Sequence, residues 1–590
     1  MDRCSRKFAP CAAVATGRSR ARLVALACLG LAALTLAVFW PATGNEFLYH
    51  DDRDYVTDNA TVRAGLSWSG AAWALTATAA ANWHPLTWIS HMLDVTLFGL
   101  DPRGHHLTSV IIHTANAVLL LLLLARATGR AWPSALVAAL FAVHPLHVES
   151  VAWVAERKDV LSTLLGLLAA LAYLRFVRKP GAPRLAVVAA LLGLGLGAKP
   201  MLVTLPVVLL LLDFWPLGRL TGRGGWAREL RHLVLEKTPL FLLAAASSIV
   251  TFVVQREAGA VQSAQEYPFA VRLGNAFLAA AGYLGKALWP NDLAVFYPHP
   301  GAALPWGKAA AALALLAALT VAAVLQARRR PYLLTGWAWY LVTLAPVIGL
   351  VQVGGQALAD RYTYFTLTGP FLAVSWLLSD ALARRRALRA PALVAVAAAL
   401  VALSLFTRRE VGFWKDTATL FAKDLEHTRG NWLAHHNLGM AFSAQGQDEK
   451  AMFHYREVLK IFDYAATRGN LGNIFLARGE LEAAESEYRQ AIALAPREPE
   501  PHNNLGVLLN RRGRPDMALP SLEEAVRLRP DYADARFNLA TTLESLGRIE
   551  EALPHYEEAL RIRPDDQMAR ARRDYALSML RGGTPAAAVP

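Results

Sequence analysis

The 590-residue chain has three cysteines, Cys4, Cys11 and Cys28, and all of them lie in the amino-terminal tail or the first apolar run. No disulfide framework and no cysteine-based zinc site is therefore available to anything downstream. Charge is scarce as well: 18% of residues are charged against 55% hydrophobic, with a net charge of +14 and a mean hydropathy of +0.29. The scarcity is uneven. Up to about Phe406 the chain is Leu/Ala/Val with isolated basic clusters, and beyond it the chain is charged and helical in composition. The basic excess does not point to nucleic acid, because the Arg and Lys residues sit between apolar runs, which is the footprint of cytoplasmic loops. A clear small-x-small cleavage site is missing after Leu23–Trp40, so Arg18, Arg20 and Arg22 are read as flanking an uncleaved first helix.

What is present is a series of apolar runs. A membrane crossing needs about 20 apolar residues for about 30 Å of hydrocarbon, and runs of that kind lie near 23–41, 106–125, 132–152, 160–177, 184–198, 201–216, 238–255, 306–326, 332–350, 364–383 and 391–407. Arg126/Arg130, Arg175–Arg184, Arg219–Arg231, Arg328–Arg330 and Arg384–Arg389 share the cytoplasmic side only if Val271–Pro290 does not cross. That gives about eleven spans from an inside start, a cytoplasmic basic tail at 1–22, a membrane domain at 23–407 with a non-cytoplasmic loop at 42–105, and everything after 407 outside. The carboxyl-terminal region is expected outside the cytoplasm, in the periplasm or a lumen.

Beyond residue 407 one signature repeats four times. It aligns on Asn437-Leu438-Gly439, Asn470-Leu471-Gly472, Asn504-Leu505-Gly506 and Asn538-Leu539-Ala540, with Gly446, Gly479, Gly513 and Gly547 in step and Ala451, Ala484, Ala518 and Ala552 likewise. A period of about 34 residues with small residues at helix crossings is the tetratricopeptide (TPR) pattern, a solenoid with a concave binding face. The expected order is a linker helix at 408–430, four repeats at 431–564, a capping helix at 565–580 and a disordered tail at 581–590. The fold class is thus all-α, a polytopic membrane domain followed by a TPR solenoid. His436, Asn473, Asn503, Asn510, Asn538 and Glu544 are the non-packing residues of the first helices and the candidate contacts for a peptide acceptor held in the groove.

The unusual polar residues collect on the non-cytoplasmic side. The first loop carries Asp51-Asp52, which is either a general base with a positioning partner or a solvated acidic turn. It also carries His84 in an aromatic-rich stretch. The third run ends with His144, His147 and Glu149 and continues into Glu156-Arg157-Lys158-Asp159. Two His three apart share a helix face, but with no clear carboxylate at helical spacing they suit packing or substrate hydrogen bonding better than metal, and no metal is expected. Lys199 in a short turn, Arg157, and Arg361 followed by Tyr362 place cations where they are disfavoured, and together they are candidates for binding a lipid phosphate.

These stretches, Tyr49–Trp68, Trp83-His84-Pro85, His144–Leu161, Ala198–Gly218 and Ala359–Tyr364, resemble the transmembrane TPR-containing O-mannosyltransferases and their bacterial relatives. The resemblance implies a GT-C glycosyltransferase fold and transfer of a sugar, typically mannose, from a polyprenyl-phosphate carrier to Ser/Thr hydroxyls of proteins, with a sugar other than mannose open for bacterial members. It places the acid pair at Asp51-Asp52, with Asp51 as base, the Arg-x-Asp at Arg157 and Asp159, and the basic-aromatic motif at Arg361-Tyr362. Arg53 stands where bacterial members usually carry proline, which leaves the choice between the two acids open. Direct displacement predicts inversion, with no cofactor. The alternative is a non-catalytic membrane scaffold or envelope-assembly factor, for which Asp51-Asp52 is only a loop.

Overall fold

The computed structural model describes residues 17–222, 224–263 and 265–581. The tail expected at 1–22 lies largely outside the described residues, and so does nearly all of the tail at 581–590. Contacts divide the chain into two units, at Arg429 and Gly430.

The first unit is predominantly helical. Among the described residues six helices are long and apolar enough to cross a membrane: Ala21–Gly44, Pro102–Thr128, Val154–Arg178, Thr238–Glu257, Trp306–Gln326 and Arg386–Phe413. A seventh is bent. Ala131–Val143 turns by 58° into Pro145–Ala152, because proline lacks an N–H and drives the residue before it into extended backbone; His144 has φ −82° and ψ 131°. The other runs form shorter helices, Ala182–Ala198, Leu205–Phe214, Pro331–Leu344 and Thr368–Arg384. Each falls short of the roughly 20 residues a straight crossing needs. Helix length therefore accounts for six or seven of the eleven expected spans. Val271–Pro290 forms the helix Phe269–Leu288, which buries Val271, Ala279 and Tyr283 on one face and leaves Leu288 exposed.

The centre of the unit is Pro102–Thr128, which packs against Gly17–Phe39, Ala131–Val143 and Arg157–Arg178. Pro331–Leu344 and Thr368–Arg384 meet at Gly336 and Gly369, so closely that a Cβ on either would strike the other's carbonyl oxygen. A two-stranded antiparallel pair, Tyr297–Pro298 with Gln356–Leu358, fixes the loop that leads to Arg361. The expected linker at 408–430 is two helical pieces. The first completes Arg389–Phe413; the second is Thr417–His427, where the buried Asp424 carboxylate accepts the Val295 and Phe296 N–H groups. It is packed structure rather than a free tether.

The second unit is four helical hairpins, from Trp432–Ala444 with Asp448–Ile461 to Ala533–Ser545 with Ile549–Ile562, followed by Gln567–Leu580. Gly446, Gly479, Gly513 and Gly547 turn each hairpin with φ of 69° to 77°, a left-handed conformation that excludes most side chains. Gly439 and Gly472 admit the Tyr455 and Tyr488 rings from the partner helix. Ala451, Ala484, Ala518 and Ala552 are fully buried where the helices cross, and Ala569 and Ala576 of the last helix cover the open end.

Candidate functional site

The acid pair of the first loop divides into two roles. At the turn, the Asp52 N–H donates to the His50 carbonyl oxygen at 2.6 Å and Asp51 takes φ of 55°. That region is rare outside glycine, tolerated best by Asp, Asn and His, and costs about 1–3 kcal/mol that its surroundings must hold. Asp52 supplies the hold. Fully buried, it accepts the Leu48 N–H at 2.9 Å and the Ala155 N–H at 2.8 Å, which ties the loop to the start of the helix bearing Glu156–Asp159. Burial pushes the Asp52 carboxyl up to about 7, against the pull of those two N–H groups. Asp51 keeps a side chain 39% exposed and faces a cavity of about 530 Å³.

That cavity gathers residues from far apart in the chain: Asp51, Asn82 and His84 from the first loop, Glu156 and Lys158, Lys199, and Arg361 with Tyr362. Its remaining wall comes from Pro200, Met201 and Val203, from Ser248, Thr251, Phe252 and Gln255 of the helix Thr238–Glu257, and from the segment 346–358. Glu156 is the hub of the charges. Lys199 Nζ lies 3.0 Å from it, Lys158 Nζ 3.1 Å and Arg361 Nε 3.3 Å. Lys199 also donates to Asp159 at 2.6 Å, and Asp159 accepts from Ser150 at 3.0 Å. Glu149 takes Arg361 Nη1 at 2.5 Å and the Arg361 backbone N–H at 2.8 Å. The Arg361 guanidinium lies between the rings of Trp153 and Tyr362, at 5.6 and 5.3 Å from their centroids.

The cations are oriented rather than used up. An ammonium has three donors; Lys199 gives two, to Glu156 and Asp159, and Lys158 gives two, to Glu156 and Tyr55. Arg361 Nη2 has no acceptor among the described residues. Burial opposes the charge on Lys199, and the Asp159 and Glu156 carboxylates outweigh it and raise its pKa. The arrangement suits an anion that accepts several hydrogen bonds at once.

Arg157 is not part of this group. It is fully buried, 2.7 Å from Asp94, and donates to Ser109 at 2.8 Å, Ser90 at 3.1 Å and the His105 carbonyl at 2.5 Å. The helix that begins at Arg157 turns about 100° per residue, so its neighbour Lys158 takes the cavity side. Glu156 and Lys158 belong to the same charged run as Arg157 and Asp159, and nothing in its sequence says which of its members face inward. His144 and His147 are also buried away from the cavity: His144 Nδ1 accepts the Leu146 N–H and its Nε2 donates to the Ala287 carbonyl at 3.0 Å, while His147 Nδ1 donates to the Phe141 carbonyl at 2.8 Å. They close the broken helix onto its neighbours.

One cluster has the spacing of metal ligands, His91, Asp94 and His105, all buried. The Arg157 guanidinium lies 2.7 Å from the Asp94 Oδ2 that a metal would take, in an ion pair without hydrogen-bond geometry, and adding a divalent charge beside it in a buried site is strongly unfavourable. The cluster fits an ion-paired core better than a metal centre.

In the second unit the expected groove residues are engaged by other side chains of the array. Asn538 donates to Asn503 at 2.8 Å, Asn503 to Asn504 at 3.1 Å and Asn504 to Asn473 at 3.0 Å. Asn510 donates to Thr542 at 2.7 Å, His436 pairs with Thr467 at 2.8 Å, and Glu544 accepts from Tyr556 and Arg572. This polar ladder links successive repeats, and a bound peptide must share it or displace it.

Tetratricopeptide-repeat family models match residues 434–462, 472–513 and 498–565. The protein O-mannosyl-transferase Tmtc2 of Drosophila melanogaster is 32% identical over 200 residues, 32% of this chain and 21% of that protein. The protein O-mannosyl-transferase TMTC1 of Mus musculus is 37% identical over 139 residues, 22% of this chain and 15% of that protein. Both relatives are named as protein O-mannosyl-transferases. The matched part of the chain spans about a fifth of their length or less. Among solved structures, the TPR protein YrrB is similar at 22% identity with a TM-score of 0.25, covering 28% of this chain and 85% of that one.

Proposed function

We propose that the protein is a multi-pass membrane glycosyltransferase that moves a sugar, mannose, from a polyprenyl-phosphate carrier to Ser/Thr hydroxyls of proteins on the non-cytoplasmic face. The observation that carries this reading is the convergence of Asp51, Lys158, Lys199 and Arg361 on one cavity of about 530 Å³. The names of the curated relatives support it, and the basic clusters support a non-cytoplasmic cavity and repeat array; the proposed location is a bacterial inner membrane.

The chemistry needs no group beyond these side chains. Asp51 takes the proton of the acceptor hydroxyl as its oxygen attacks the anomeric carbon; the bond from that carbon to the phosphate oxygen breaks, and the polyprenyl phosphate leaves with the electron pair. The spare N–H groups of Lys158, Lys199 and Arg361 meet the charge growing on the phosphate. Displacement from the far side inverts the anomeric centre. The TPR array holds the acceptor.

The test is transfer by the purified full-length chain with a panel of radiolabelled polyprenyl-phosphate sugars and envelope protein. Asp51→Asn should cost about 10²–10⁴-fold in transfer while the protein still inserts and binds donor. Transfer by the variant at the parent's rate would leave the scaffold reading in place.

A further inference from the structure

His84 lines the cavity, yet the residue is only 1% exposed. Its Nε2 lies 2.8 Å from the Tyr55 hydroxyl, and Lys158 Nζ lies 3.3 Å from the same oxygen. An ammonium can only donate. The Tyr55 oxygen therefore accepts from Lys158, and since its own proton meets no other acceptor among the described residues, that proton goes to His84 Nε2. Burial, with the Lys158 and Lys199 charges behind it, holds the imidazole neutral, so the ring has one proton and that proton is on Nδ1. Nδ1 is absent from the buried polar atoms that lack a partner, and no protein acceptor meets it among the described residues. It is the edge that His84 presents to the cavity.

We propose that His84 is a sugar-recognition residue whose Nδ1–H donates to a hydroxyl oxygen of the transferred sugar, and that Tyr55 and Lys158 are positioning residues that fix its tautomer. This rests on the glycosyltransferase reading of the cavity. The phosphate already has ammonium and guanidinium donors, whereas a neutral N–H suits a neutral oxygen. A site group built to bond one hydroxyl also rejects the analogue lacking it, since its own N–H is then left unpaired.

The experiment compares His84→Asn with His84→Gln in the purified full-length chain. The Asn amide nitrogen reaches the position of Nδ1, and the Gln amide reaches that of Nε2. Affinity is measured for polyprenyl-phosphate mannose and for sugar-free polyprenyl phosphate. His84→Gln should weaken the mannosyl donor about tenfold, the worth of one neutral hydrogen bond with its partner left unpaired. His84→Asn should keep most of the affinity, and both should bind the sugar-free lipid like the parent. Tyr55→Phe should weaken the mannosyl donor in the parent background and change nothing further in His84→Gln. Nitrogen-15 spectra of histidine-labelled protein should show His84 protonated at Nδ1, with a mixture of tautomers in Tyr55→Phe. Equal losses in the Asn and Gln variants, an equal loss for the sugar-free lipid, or an Nε2–H signal would overturn the proposal. Binding of neither lipid by the parent would overturn the glycosyltransferase reading, and the spectra would still decide the tautomer.

Discussion

Arg157 gives the sharpest separation between a binding residue and a buried support. It is fully buried against Asp94, itself 2% exposed, at 2.7 Å. Replacing it with methionine keeps the volume and leaves Asp94 as an unpaired buried charge, a loss of about 3–5 kcal/mol. Ser109, Ser90 and the His105 carbonyl each lose a charged donor at the same time. The variant should therefore show a large fall in thermal midpoint and in yield from the membrane. The double variant Arg157→Met/Asp94→Asn removes both charges and leaves neutral hydrogen bonds worth about 1 kcal/mol each to be lost. It should recover half or more of the stability. Donor affinity per folded molecule should stay near the parent's in the double variant, because neither side chain lines the cavity. The assays are thermal unfolding in detergent by tryptophan fluorescence and donor binding on the folded fraction. An Arg157→Met protein as stable as the parent that no longer binds donor would refute the reasoning and return Arg157 to the phosphate.

Arg361→Lys keeps the charge but loses the fork that meets Glu149 and Glu156, so donor affinity should fall about tenfold or more with little change in acceptor binding; unchanged donor affinity would make Arg361 structural. Asp52 has its folded pKa raised to about 7, so its contribution to stability is full below the ordinary carboxylate value and is lost as pH rises towards 7, by up to about 4 kcal/mol. Asp52→Asn can accept only one of the two N–H groups and should be less stable at pH 5, with a flatter slope, so that the melting curves of variant and parent converge by pH 8; parallel slopes would exclude Asp52 as the titrating group. A chain ending at Arg429 keeps Asp424 and its bonds to Val295 and Phe296 and should bind donor normally while losing most transfer to protein, because a tethered groove supplies an effective acceptor concentration in the mM range. Full transfer by the truncated chain would give the repeats another partner.

The repeat array was legible in the sequence because its physics is local. Gly446, Gly479, Gly513 and Gly547 turn hairpins, and Ala451, Ala484, Ala518 and Ala552 let helices cross, at one fixed step. The apolar runs were legible for a similar reason, since hydrocarbon length sets helix length. Their count as crossings was not, because short helices such as Pro331–Leu344 carry apolar composition without spanning length. In the site, sequence chemistry singled out Asp51, Lys199 and Arg361, which lie far apart in the chain, as rare charges at the ends of apolar runs. Only the fold could show that they share a cavity. It also decided between neighbours: in Glu156-Arg157-Lys158-Asp159 the helix sends Lys158 to the cavity and Arg157 to Asp94, and in Asp51-Asp52 the turn exposes the first acid and buries the second. Composition fixes which charges exist, and the direction each side chain takes from its backbone fixes what that charge meets.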